Sequence, residues 1–187
     1  MTLNELLAPT YIQMLQALAA WLRKAQQEKP GAAAEALLTA RLAPDMFPLS
    51  TQVRFACVQA QEGMCRLMNR EFPASLQALL DEGRNAGERP GSIAEALARI
   101  DETVQWVTSL ASDPADANEL RPIAHALPAG MIFDLTAAQF ARDWALPQFY
   151  FHVMAAYAIL RSQGVGLGKA DYVAHMLGFL RQGTASQ

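Results

Sequence analysis

Few side chains in this 187-residue chain have the means to do chemistry, and the most telling is His152. It stands in the run PQFYFHVMAAYAILRSQG, Pro147 to Gly164, as the polar group near the start of a segment otherwise filled by Phe149, Tyr150, Phe151, Val153, Met154, Tyr157, Ile159 and Leu160. An imidazole in apolar surroundings is driven toward its neutral form. It then serves either as a general base or single ligand, or as a core histidine satisfied by a hydrogen bond. The partners open to it are a tyrosine, a backbone carbonyl or Gln52, and the satisfied core histidine is the favoured reading. The candidate pocket residues are His152, Gln52, Tyr150 and Asp45. Asp45 falls in a double-proline turn, Arg41 to Leu49. There it either forms a polar pair with Arg41 at a pocket mouth or caps a helix starting near Pro48.

The remaining candidates carry less. Cys57 and Cys65 lie eight positions apart on one expected helix, about 12 Å of rise, too far for an internal disulfide. They read as core thiols of a reducing compartment, and neither has the histidine that would make it a nucleophile. His125 falls in an expected hairpin and His175 in a terminal helix, and neither is read as a ligand. Glu62, Asp143 and Asp171 show no spacing of the di-metal E-x-x-H kind. Gly164-Val-Gly-Leu-Gly-Lys169 lacks the preceding strand and the Lys-Ser/Thr ending of a phosphate loop, so it reads as a helix-to-helix turn.

The elements that must position these residues are mostly helical. Thr2 with Glu5 is a capping box opening a first helix to about Gln27, bent at Pro9. Glu28 to Gly31 stops it, and Ala32 to Leu42 forms a short second piece. The double-proline turn tucks Met46, Phe47 and Leu49 against the core. A helix from Pro48 to about Arg70 then carries Val53, Ala56, Ala60, Met64 and Leu67 on one face. Leu76 to Leu80 adds a turn or two, and Gly83 to Gly91 is the most loop-like stretch. Ser92 with Glu95 opens the clearest amphipathic helix, Ile93 to Ala111, closed by Asp113-Pro114. Between Asn118 and Leu135 the helical period vanishes and a small hairpin is expected. Thr136 with Gln139 opens a short helix. The segment from Pro147 follows, apolar on every side and therefore buried, with Phe149, Val153, Ala156 and Leu160 in the core. Lys169 to Leu180 forms a last helix, and the tail beyond Gly183 frays. The result is one all-α domain spanning residues 1–187, a four-helix bundle with a small β-hairpin before the last long helix.

Two stretches, LLTARLAPDMFPLSTQV (Leu37 to Val53) and LPQFYFHVMAAYAILRSQGVGLGKADY (Leu146 to Tyr172), carry a family resemblance. They resemble an uncharacterised bacterial family, catalogued as a domain of unknown function, within the DinB/YfiT-like superfamily of four-helix bundles. The resemblance implies a bundle with a hairpin between its third and fourth long helices, often paired as a homodimer. For the superfamily it also implies metal-dependent chemistry, thiol transfer included. The metal is held there by a histidine on the second helix and an H-x-x-x-H pair on the fourth. Here His152 takes the first place of that pair, Ala156 stands four residues on, and the helix from Pro48 has no histidine.

The expected function is therefore that of a metal-free bundle without a cofactor, binding a small ligand or a partner. The alternative is a metal-dependent or His-based small-molecule hydrolase or transferase. A formal charge of −3 with scattered Lys and Arg argues against nucleic acid. The first residues, MTLNELLAP, lack signal-peptide character and no apolar run is long enough to span a bilayer, so no membrane partner and a cytoplasmic location are expected. Trp21, Trp106 and Trp144 fall off or at the edge of their helical stripes. That, with the high apolar fraction, points to a homodimer surface.

Overall fold

The computed structural model describes residues 2–111, 118–181 and 183. The Asp113-Pro114 stop and the tail after Gly183 lie outside the described residues.

Helix α1 runs Leu3–Glu28 without interruption through Pro9. Thr2 Oγ1 accepts from the Glu5 amide, and the Glu5 carboxylate accepts from the Thr2 amide. One stripe of α1, Leu7, Tyr11, Leu15, Leu18, Leu22 and Ala25, is fully buried. A short α2, Ala32–Glu35, passes into a 3-10 turn, Ala36–Thr39. Helix α3, Leu49–Leu67, begins directly after Pro48, as the missing N–H of proline favours. No side chain caps it. Asp45 is exposed, and Arg41 donates to the Pro44 carbonyl, so the cap expected from Asp45 is corrected. Leu49 is buried, whereas Met46 is only partly covered and Phe47 is exposed.

The stretch after Phe72 differs from expectation. It forms a full helix α4, Ala74–Asn85, which reaches through Gly83 rather than stopping near Leu80. Gly83 is a packing glycine: a Cβ there would collide with the Phe55 ring. The last carbonyls of α4 are met from α3, with Thr51 Oγ1 donating to Gly83 O and Ser50 Oγ to Ala86 O. Helix α5, Ile93–Ala111, follows the Ser92–Glu95 capping box and packs along α1.

Strands β1, Pro122–Ala126, and β2, Ile132–Thr136, form an antiparallel pair in which His125 faces Phe133. Ile123 and His125 point to the bundle, and Arg121 Nη2 donates to the carbonyls of Arg66 and Leu67 at the end of α3. After the Thr136–Gln139 capping box, α6 (Ala137–Gln139), a π turn (Phe140–Ala145) and α7 (Leu146–Ser162) form one continuous helical run. Pro147 therefore does not open a separate helix. The wider π turn before it accommodates a residue that has no N–H and crowds the preceding turn.

Helix α7 packs along α3 and α1 with Phe149, Val153, Ala156 and Leu160 in the core. Its opposite side is open: Phe151 is 57% and Met154 42% exposed, which corrects the expectation of burial on every side. Chain ends differ as well. The expected last helix is a short α8, Lys169–Tyr172, followed by a 3-10 segment, Ala174–Phe179, with no buried residue. Trp21, by contrast, is fully buried, in T-shaped contact with Tyr157 and stacked on Tyr172, its Nε1 donating to Asp171 O. One hydrophobic cluster joins the four long helices α1, α3, α5 and α7 with the inner face of β1.

Candidate functional site

Helices α3 and α7 lie side by side, and the first turn of α3 and the second of α7 bring Gln52 to His152. His152 Nδ1 and Gln52 Oε1 are 2.8 Å apart, while Gln52 Nε2 donates to the Phe47 carbonyl at 3.2 Å. With the amide's NH₂ end spent on Phe47, its oxygen faces the imidazole, so Nδ1 carries the proton and donates. Nε2 is then the acceptor nitrogen. It has no hydrogen bond among the described residues and is not sealed from solvent, though the residue as a whole is only 7% exposed. Phe55 and Phe151 both meet the ring edge-to-face at 5.4 Å, and Phe47 lies edge-on to Phe55 at 5.5 Å. Burial pushes the imidazole down to about 4, so it is neutral near neutral pH.

The other sequence candidates lie apart from this pair. Asp45 is exposed in the turn before α3 with no bond to Gln52 or His152. Tyr150 packs on Phe149 and lies toward Tyr172 of α8, whose phenol is raised by burial first and by Tyr150 second. Its own phenol is raised by burial. Both thiols are buried, and burial pushes Cys57 up to about 12 and Cys65 up to about 11. Neither is a nucleophile in this state.

His125, set aside in the sequence, is buried inside the bundle. Its ring lies 4.4 Å from that of Trp144 and 5.5 Å from Phe140, with Nδ1 3.8 Å from Glu62 Oε1. Glu62 is itself held by Arg66 at 2.7 Å. Burial first, then Arg66, holds His125 below the usual histidine range, against the opposing pull of Glu62. The alternating burial of β1 is the signal that places it inward, but a hairpin sequence does not say which helix it faces.

A metal of the kind found in the superfamily does not fit this donor set. A carboxamide stands against one nitrogen of His152, phenylalanine edges flank its ring, and Ala156, one turn on, is fully buried. Among the described residues no group of three or more His, Cys, Asp or Glu is arranged to hold a metal ion. None of their helices is long and apolar enough to cross a membrane.

Four long helices, a hairpin before the last of them and a histidine near the start of that last helix define a DinB-like bundle. The crystal structure of a DinB family member protein from Shewanella denitrificans is similar to this chain with a TM-score of 0.71 and 29% sequence identity, over 99% of this chain and 96% of that one. Within that class the chain belongs to a family described as a domain of unknown function, DUF1993, which matches residues 3–173. No curated protein matches.

Proposed function

We propose that the chain is a metal-free binding bundle that receives a small ligand or a partner at the edge around His152, and that it works as a homodimer in the bacterial cytoplasm. The division of labour within one imidazole carries this reading: Nδ1 is committed to Gln52, and Nε2 is left as an acceptor between aromatic rings. A neutral acceptor beside aromatic rings suits a flat molecule or side chain that presents one N–H or O–H. The hydrolase or transferase alternative has less support. The group that orients the ring is an amide rather than a carboxylate, which would raise its basicity, and among the described residues no thiol or hydroxyl is bonded to it. Exposed Phe151 and Met154, beside His152 on α7, favour a second copy as the partner of this face.

The test is a thermal-shift screen of small aromatic amines, thiols and divalent metals on tag-free protein and on His152→Ala. Light scattering on wild type and Phe151→Ser/Met154→Ser runs beside it. The reading expects stabilisation by an organic ligand that His152→Ala abolishes, and a dimer mass that the double variant lowers. One equivalent of zinc, nickel or iron, lost in His152→Ala without unfolding, overturns it.

A further inference from the structure

On the α4 side of α3, a cavity of about 370 Å³ is lined by Arg54, Ala78, Asp81, Glu82, Asn85 and Arg89. Arg54 is the unusual member, because its side chain is only 4% exposed and a buried guanidinium must be matched by acceptors. Nη1 donates to the Ser50 carbonyl at 3.2 Å, but Nε is buried without a hydrogen bond, its approach to Glu82 Oε2 being a longer 3.5 Å. Glu82 is shared between Arg54 and Arg99. Arg99 grips both its oxygens, at 2.6 and 3.1 Å, and first among the causes lowers its pKa.

The other nearby carboxylates are also committed. Asp81 accepts from Gln77 at 3.0 Å and faces Arg84 at 3.8 Å, and Glu95 accepts from the amide and hydroxyl of Ser92. Arg89 stands exposed at the rim, with no ion pair among the described residues. Arg54, which meets Glu82 only through Nε at 3.5 Å and Ser50 through Nη1, and the exposed Arg89 thus line the cavity with further N–H donors, while Glu82 and Asp81 each have another partner. The backbone comes close as well: a Cβ at Gly91, which has a φ of +70°, would lie 2.7 Å from Glu95 Oε2 and 2.8 Å from Arg54 Nη2.

We infer that this cavity is a binding site for a small oxyanion, a carboxylate or phosphate head group held by Arg54 from within and by Arg89 at the mouth. Its planar fork of N–H donors suits arginine to such a group, and the volume is that of a small-molecule site. The inference is independent of the role given to His152, which lies on α7 and does not line this cavity.

Calorimetric titration and thermal shift with inorganic phosphate and with acetate, each against chloride at matched ionic strength, test it on the full chain. At least one oxyanion binds saturably and raises the melting temperature above the chloride control, and the stronger of the two identifies the head group. Arg89→Ala, at an exposed position, weakens that binding by about fivefold, the size of one solvent-facing charged contact, without changing the melting temperature of the free protein. Arg54→Met, with folding checked by circular dichroism, abolishes binding, and His152→Ala leaves it intact. If Arg54→Met does not fold, Arg89→Glu takes its place, since a carboxylate at the mouth repels the oxyanion and abolishes binding in a folded protein. Stabilisation no greater than that by chloride, or affinity unchanged in both Arg89 variants, overturns the inference.

Discussion

His152 and Gln52, one hundred residues apart, meet at 2.8 Å between α7 and α3, and the same amide reaches back to the Phe47 carbonyl. One carboxamide therefore fixes the tautomer of the histidine and ties down the turn that leads into α3. Gln52→Leu removes both bonds, leaving a buried imidazole N–H and a carbonyl without partners. A loss of about 1–3 kcal/mol in urea melts is expected. A loss below about 0.5 kcal/mol would mean that solvent already serves those groups.

The pH dependence of stability follows from the same ring. The unfolded chain binds a proton on this histidine below its ordinary value of 6.5, whereas the folded state holds the group neutral down to about 4. Stability is thus complete above 6.5 and falls as pH drops toward 4, by about 3 kcal/mol for the full shift. His125, also held below the usual range, adds a fall of the same sign. Chemical melts of wild type and His152→Phe across this window are expected to show a flatter acid limb in the variant; identical slopes would refute the assignment.

Gly83→Ala sets two effects against each other. Replacing a helical glycine is ordinarily worth about 1 kcal/mol in favour of alanine. Here the new methyl would enter the Phe55 ring, which is held on its other sides by Phe47 and His152, and such overpacking costs about 1–3 kcal/mol. The clash prevails, so the variant melts lower and the His152 ring protons shift in NMR spectra. A more stable Gly83→Ala protein would show that Phe55 swings aside freely.

Leu160 lies fully buried on the inward face of α7. Leu160→Ala is expected to cost about 2–5 kcal/mol, the range for a leucine removed from a packed core. Met154→Ala, at an exposed position of the same helix, tests the contrast in monomeric, dilute protein, where its effect should stay within about 0.5 kcal/mol.

What the amino-acid sequence determined by itself was whatever closes within a few residues. The capping boxes at Thr2, Ser92 and Thr136 each join partners three apart and form as their spacing predicts, as does the hairpin between α5 and α6. Such bonds are decided by spacing, before any helix meets another. Gly83 shows where that ends, since its chain position marks it as a break and only the ring of Phe55 explains a glycine inside α4. Tertiary structure alone decided which sides turned inward. It chose Gln52 among three possible partners for His152, packed Tyr150 on Phe149 instead of on that pair, and buried Trp21 under Tyr157 and Tyr172. It also left Phe151 and Met154 open on a helix whose composition promised full burial. A uniformly apolar helix carries no stripe to orient it, so its inward side is set by the shapes of α1 and α3 against which it packs.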